Sequence, residues 1–268
     1  MLTPFKLYIA TLLVVQTMLA IPRGLRRRGI IFFAFGFAIR KNVAVKPKAA
    51  IIRLPDRISI AISYIVIAIS YFLLFSWNKV ELLYLLGEET WNYILTLDAI
   101  QLYGLLILLL IIFGPFHEYM HFYFAKRVGI PVKSIYLIFI MGIPVAFAIK
   151  TEEEKNGEEG LLRLMVTISA GIIANVTYVF IATILYTLHH SILSKIFLFF
   201  SIYIMVVNSI AFLYYFRTDG TMLITQGLEA VIKNKKLVKY ISRLIIFLAI
   251  ILQIIFFPKT FYLGGIHI

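Results

Sequence analysis

The sequence contains no cysteine and few acidic residues. Without cysteine it can form no disulfide, no thiolate metal site and no cysteine nucleophile. Asp and Glu together number 13, against 26 Lys and Arg, and the aspartates are limited to Asp56, Asp98 and Asp219. A transition-metal site in this chain would therefore depend on histidines and on a small choice of carboxylates.

The sequence also lacks any polar stretch long enough to form a soluble domain. Hydrophobic residues make up 62% of the chain and the mean hydropathy is +0.95, whereas soluble domains are about 45–50% apolar. We therefore predict an all-α polytopic membrane protein. The net charge of +13 could indicate nucleic acid binding, but in a membrane protein it more often sets the topology, so we predict no nucleic acid partner.

Long apolar runs predict about six transmembrane helices, each long enough to cross a bilayer. The first run lacks a strongly basic start and a clear cleavage site, so we interpret it as a span and not as a signal peptide. The predicted spans are residues 5–21, 58–77, 98–125, 161–188, 196–216 and 241–257.

Basic residues then predict the orientation. In the six-span arrangement one side keeps only Lys6, Lys79, Lys195 and Lys259, and all other Lys and Arg residues fall on the opposite side. The positive-inside rule makes that second side cytosolic. We therefore predict a multi-pass protein of the cell membrane with both termini outside.

Two further apolar stretches are too short or too irregular to cross as helices. Residues 29–57 show partial alternation, which suggests short strands or an interfacial segment. Residues 130–150 are rich in β-branched and aromatic residues, begin near Pro131 and contain Gly142 and Pro144, which favours a membrane-dipping β-hairpin.

The strongest chemical signal is the sequence His117-Glu118-Tyr-Met-His121 in the third predicted span. Histidines at positions i and i+4 share one face of a helix, so both imidazoles can reach one zinc ion. Glu118 would stand beside the metal as a general base, since zinc lowers the pKa of a bound water to about 7. A titratable cluster at membrane depth costs about 2.5–3.5 kcal/mol per charged group unless it has a partner or a function.

A third ligand is needed. Asp56 lies in a basic stretch where it would be paired or solvated, and Asp98 begins the third span, where an acid suits a helix N-terminus. Asp219 lies at the cytosolic end of the fifth predicted span, at a depth similar to that of the histidines. Gly220 would let the backbone turn directly after it.

These motifs resemble the site-2 proteases, the intramembrane zinc metalloproteases. HEYMHFYFAKRVGIPV is similar to their signature helix, ISAGIIANVTY carries Gly171 and Asn175 like their Gly-x-x-x-Asn helix, and Thr218-Asp219-Gly220 is similar to their Asp-Gly motif. The resemblance covers about residues 98–240. The approach to Asp219 differs, because it contains no proline and Asn208 stands farther upstream than is usual in the family.

The resemblance implies a three-helix catalytic core that holds one zinc ion per chain near the cytosolic side. By that resemblance His117, His121 and Asp219 bind zinc, Glu118 is the catalytic base, and Asn175 with Gly171 faces the substrate or the oxyanion. It also implies cleavage of a transmembrane segment of another protein, with residues 130–150 offering an edge for strand addition. The corresponding division is 1–97 (N-terminal spans and basic segment), 98–240 (catalytic core) and 241–268 (C-terminal span and tail).

Two other interpretations remain open. A membrane zincin of the CAAX-protease or heat-shock type would take a later glutamate as third ligand. The candidates are Glu152, Glu153, Glu154, Glu158, Glu159 and Glu229. A transporter or scaffold with a retained metal site is the non-enzyme alternative, although a purely structural zinc site needs four ligands and no base. The sequence leaves the substrate's identity and the oligomeric state open.

Overall fold

The computed structural model describes residues 29–33, 36–45, 52–76, 81–140, 143–151, 157–210, 218–232 and 234–256. Helices dominate these ranges, as predicted, and a small antiparallel sheet accompanies them. The elements in chain order are β1 (Ile30–Phe33), β2 (Gly36–Val45), α1 (Leu54–Ser76), α2 (Glu81–Thr96), α3 (Ala99–Val128), β3 (Val132–Ile140), β4 (Ile143–Thr151), α4 (Gly157–His189), α5 (Ile192–Ser209), α6 (Asp219–Val231) and α7 (Lys235–Phe256).

Among the residues that the structure describes, four helices are long and apolar enough to cross a membrane. They cover most of the second to fifth predicted spans and lie at Leu54–Leu73, Ile100–Val128, Gly157–His189 and Ile192–Ser209. The first predicted span, 5–21, lies outside the described residues. The sixth, 241–257, overlaps α7 but is not among these four, so the count of six stays a prediction.

The fifth span differs from its prediction, which extended it to residue 216. In the structure α5 ends at Ser209, and the amide of Ile210 donates to the carbonyl of Val206 to close its last turn. Asp219 therefore does not sit on the end of the spanning helix. It opens the separate 13-residue helix α6, with Thr218 as N-cap.

One compact unit contains, among the described elements, β1, β2, α3, β3 and β4. The four strands form one antiparallel sheet in the order β1-β2-β3-β4. Strands were one of two interpretations of residues 29–57 and the expected structure of residues 130–150, and strands are present in both stretches. The membrane-dipping placement of residues 130–150 stays a prediction. The sequence did not predict that β2 pairs with β3, which joins the two stretches into one sheet.

Helix α3 has well-defined ends. At its start Asp98 and Gln101 form a capping box, in which the Gln101 amide donates to Asp98 Oδ1 over 2.8 Å and the Asp98 amide donates to Gln101 Oε1 over 3.1 Å. The prediction that Asp98 serves a helix N-terminus is thus confirmed. At the other end Gly129 adopts the left-handed conformation, with φ 84°, and its amide donates to the Ala125 carbonyl.

The second compact unit contains α1, α2 and α4 to α7. Serine side chains join α1 to α4: the hydroxyls of Ser59 and Ser169 lie 3.1 Å apart, and the Ser63 hydroxyl donates to the Ser169 carbonyl over 3.3 Å. Small side chains allow helices to approach closely at such places. A separate apolar cluster packs Leu86, Ala182, Leu198 and Phe199 together.

The sequence did not predict helix α2. Its run ELLYLLGEETWNYILT is interrupted by Glu88 and Glu89, so its hydropathy does not resemble that of a span. Leu86 nevertheless belongs to the apolar cluster, and Glu89 forms an ion pair with Lys195 of α5. The domain boundaries predicted after residues 97 and 240 stay predictions.

Candidate metal centre

His117 and His121 lie one turn apart on α3 and are both partly buried. Their Nε2 atoms are 3.2 Å apart, and the ring planes meet at 82°. Two nitrogens bound tetrahedrally to one zinc at about 2.0–2.1 Å would lie about 3.3 Å apart. The spacing of the two Nε2 atoms therefore fits two ligands of a single ion, as the helical i, i+4 relation predicts.

Glu118 contacts the edge of the sheet. Its Oε2 accepts a hydrogen bond of 3.1 Å from the backbone amide of Ile149 in β4. Ile149 is paired with Ile135 of β3 on its other side. The β4 amide thus orients the carboxylate that follows the first histidine, and Oε1 is the oxygen not used in this contact.

Asp219 is 8% exposed and occupies the first turn of α6. The N-terminal end of a helix favours a negative carboxylate, because the free backbone amides and the helix dipole are positive there. Thr218 caps the turn, since its hydroxyl accepts from the Thr221 amide over 3.2 Å. The local sequence Thr-Asp-Gly therefore places a carboxylate at the start of a short helix.

Asn208, near the end of α5, holds Asp219 in place. Its side-chain Nδ2 donates to Asp219 Oδ2 over 2.8 Å, and the Asp219 amide donates back to Asn208 Oδ1 over 3.3 Å. This reciprocal pair fixes both the carboxylate and the backbone of the same residue. It leaves Oδ1 of Asp219 as the oxygen not used in this contact.

Gly220 is required by the packing of this corner. A Cβ added there would lie 1.9 Å from the carbonyl oxygen of Ser209 and 2.4 Å from its carbon. No side chain fits at that distance, so the backbones of α5 and α6 can meet here only through glycine. The sequence predicted a turn after Asp219, whereas the structure shows that Gly220 permits a close helix contact.

The residues predicted as ligands come together. One ligand atom from each of His117, His121 and Asp219 lies within 4.8 Å of the others. Among the described residues this is the one group of three or more His, Asp and Glu side chains with such spacing. Two imidazoles and one carboxylate form a donor set that suits a divalent transition metal, and the group could hold a metal ion.

The other acidic residues considered as third metal ligand lie in different environments. Glu158, Glu159 and Glu229 are exposed, and Glu159 pairs with Arg163 at 2.6 Å. Glu152, Glu153 and Glu154 lie outside the described residues. Asp56 was expected to be paired or solvated in a basic stretch; it is buried at 1% exposure, and its Oδ2 accepts from the Arg53 amide.

Gly171 and Asn175 are buried in α4, with Asn175 at 1% exposure. Their predicted role toward substrate stays a prediction. Sequence reasoning named Asn208 only as a departure from the family pattern and did not mention Ile149. Asn208 contacts Asp219, and Ile149 contacts Glu118. Neither contact has a local sequence signal, because Asn208 and Asp219 lie on different helices and Ile149 acts through its backbone amide.

Comparison of the chain with models of protein families, with curated proteins and with solved structures gave no match.

Proposed function

We propose that this protein is a zinc-dependent intramembrane endopeptidase of the site-2 type, which cleaves a transmembrane segment of another membrane protein. The observation that carries the proposal is the grouping of His117, His121 and Asp219 within 4.8 Å, with Glu118 directly after the first of them. Apolar helices of spanning length support a membrane location. No glutamate among the described residues joins the group, which favours this reading over that of a zincin with a glutamate ligand.

In the proposed reaction each residue has a distinct task. His117, His121 and Asp219 would hold the zinc ion, which supplies Lewis acidity and makes a water molecule nucleophilic near neutral pH. Glu118 takes the proton of the attacking water and later delivers it to the leaving amine. Since Ile149 engages Oε2, Oε1 is the oxygen that carries this proton. Asn175 is the expected hydrogen-bond donor to the developing oxyanion.

The first test is the metal content of the full chain purified in detergent. We expect one zinc per chain in the wild type and a loss in Asp219→Ala, while Glu229→Ala, which removes an exposed carboxylate, keeps its zinc. Loss with Glu229→Ala instead would move the third ligand to a glutamate. A wild type that stays free of zinc after repletion would refute the metal centre.

The second test separates metal binding from catalysis. In liposomes with a single-span reporter protein, Glu118→Gln should retain zinc and lose cleavage, because glutamine cannot accept the proton. Zinc retention together with undiminished cleavage would refute the base assignment. Retained zinc without cleavage in the wild type, over a panel of reporters, would favour the transporter or scaffold alternative.

A further inference from the structure

Helix α6, which carries Asp219, has one face with a glycine toward each end. Gly220, Leu223 and Gly227 follow one another at i, i+3 and i+7, a spacing that puts them on the same face of a helix. Leu223, in the middle, is 0% exposed. We name these three residues the glycine face. A helix of 13 residues is only marginally stable alone, so the elements that contact α6 set its position.

Helix α5 contacts the first end of the glycine face. Gly220 lies so close to the Ser209 carbonyl that no side chain fits between them, and Asn208 bonds both the carboxylate and the amide of Asp219. These contacts hold the first turn of α6. A helix that is held at one end only can still tilt and turn about that end, so a second contact is needed to fix its direction.

Helix α1 supplies a contact at the other end of the glycine face. The Tyr64 hydroxyl donates to the carbonyl of Leu223 over 3.0 Å. A Cβ added at Gly227 would lie 2.2 Å from that hydroxyl oxygen, so the hydroxyl occupies the space that another residue's side chain would fill. A helical carbonyl accepts from the amide four residues later, and its second lone pair can take a further donor. Gly227 thus makes a carbonyl inside the helix accessible to Tyr64.

Leu223 connects this contact to Asp219. In the α-helical pattern the Leu223 amide donates to the carbonyl of Asp219, four residues earlier and about 6 Å away along the axis. A hydrogen bond has a preferred direction, so the Tyr64 contact restricts both the rotation of α6 about its axis and its sliding along that axis. Helix α6 packs on α4 as well, but hydrophobic contact by itself has no preferred direction.

We propose that Tyr64 is a positioning residue for the metal centre. Its hydrogen bond to Leu223, admitted by Gly227, sets the rotation of α6 and with it the direction of the Asp219 carboxylate. The inference rests on the proposed function for the metal centre, but not for peptidase activity. A carboxylate oxygen binds zinc at about 2.0–2.2 Å, so a small rotation of the helix is enough to weaken the bond.

The test compares Tyr64→Phe, Gly227→Ala and the two changes together in the full chain in detergent. The matched control is Ser63→Ala, because Ser63 is the neighbour of Tyr64 on α1 and its hydroxyl donates to a carbonyl of α4 instead of α6. Three quantities are measured. They are zinc affinity by competition with a chromophoric chelator, the visible spectrum of the cobalt-substituted protein, and the free energy of unfolding with the metal removed.

We expect Tyr64→Phe to lower zinc affinity about 10-fold, the lower end of the range for groups that orient a ligand, and to change the cobalt spectrum. Gly227→Ala should lower the affinity further, because its methyl group pushes α6 away from the hydroxyl. In the double variant the nearest remaining atom of residue 64, the ring carbon Cζ, lies 3.3 Å from the added Cβ. The affinity should then return to the Tyr64→Phe value, since the obstruction is gone and the hydrogen bond is still missing.

Ser63→Ala should lower the free energy of unfolding but leave the zinc affinity and the cobalt spectrum as in the wild type. Two results would overturn the proposal. Wild-type affinity and spectrum in Tyr64→Phe would reduce Tyr64 to a contact that only stabilises the fold. Equal losses of zinc affinity in Tyr64→Phe and Ser63→Ala would trace the effect to general destabilisation.

The failure of this inference is distinguishable from that of the proposed function. A wild type that binds no zinc would refute the metal centre and the inference together, whereas zinc binding that Tyr64→Phe leaves unchanged refutes the inference alone. Should Tyr64→Phe fail to fold, Gly227→Ala is compared with Gly104→Ala, because a Cβ at Gly104 meets nothing within 4 Å. Equal zinc affinity in those two variants would then refute the proposal.

Discussion

Replacing Gly220 by alanine tests whether the corner between α5 and α6 sets the position of Asp219. The added Cβ would lie 1.9 Å from the Ser209 carbonyl oxygen, whereas carbon and carbonyl oxygen normally approach no closer than about 3.3 Å. The start of α6 must then retreat by about 1.4 Å. Because the obstacle is backbone, rotation of a side chain cannot relieve the clash.

Two separate losses follow from this displacement. Overpacking of a tight contact costs about 1–3 kcal/mol of unfolding free energy. A carboxylate oxygen binds zinc at about 2.0–2.2 Å, so a shift of more than 1 Å takes Asp219 out of range. Disturbing the groups that orient a ligand typically lowers metal affinity about 10–100-fold, and we expect Gly220→Ala to reach the upper end of that range.

The assay combines thermal unfolding in detergent with zinc competition against a chromophoric chelator. Unfolding is measured with the metal removed, because bound ligand itself stabilises the native state. Gly104→Ala is the matched control, since a Cβ there meets nothing within 4 Å. That change should stabilise α3 by about 0.5–1 kcal/mol and leave zinc affinity unchanged. Wild-type stability and affinity in Gly220→Ala would refute the argument.

Further predictions concern other contacts. Asn208→Ala should lower zinc affinity about 10–100-fold and alter the visible spectrum of the cobalt-substituted protein. The control Asn92→Ala removes an exposed asparagine of α2 and should change neither the affinity nor the spectrum. An unaltered spectrum in Asn208→Ala would refute the role of Asn208 in positioning Asp219. Glu118→Gln should keep stoichiometric zinc while reporter cleavage in liposomes falls to background. Gly227→Ala places a Cβ 2.2 Å from the Tyr64 hydroxyl, which donates to the Leu223 carbonyl, so it should cost about 1 kcal/mol. The loss of unfolding free energy, measured by chemical unfolding, should be smaller when Gly227→Ala is combined with Tyr64→Phe. An equal loss in both backgrounds would show that the Tyr64 hydroxyl is not the source of the strain.

The sequence revealed the parts of the site that depend on local periodicity. His117 and His121 are a helical turn apart, so their shared face follows from the spacing alone. Asp219 could be selected because the chain has few aspartates and because its predicted membrane depth matches that of the histidines. The contact of Asp219 with Asn208 could not be predicted, because it depends on how the end of α5 meets the start of α6.

The pairing of β2 with β3 could not be predicted from the sequence either. The apolar stretches around β2 and β3 each predicted strands, but no turn connects them, and helices α1, α2 and α3 intervene in the chain. Pairing such distant segments carries a loop-closure cost that local pattern does not encode. Helix α2 was missed for the opposite reason: Glu88 and Glu89 weakened an apolar signal although the segment is helical and packs through Leu86.

The capping box at Asp98 fixes where α3 begins, so the position of a residue along α3 gives its distance from that end. A helix rises about 1.5 Å per residue, so His117 lies about 28 Å from the Asp98 cap, close to the about 30 Å thickness of the hydrocarbon core. With the capped end at one surface, the length of α3 alone carries the histidines toward the other. Deleting one residue between Gly104 and Phe113 would shift them by about 1.5 Å and turn them by about 100°, away from the direction they now face. The number of residues in that stretch therefore sets both the distance of the histidines from the cap and the direction they face.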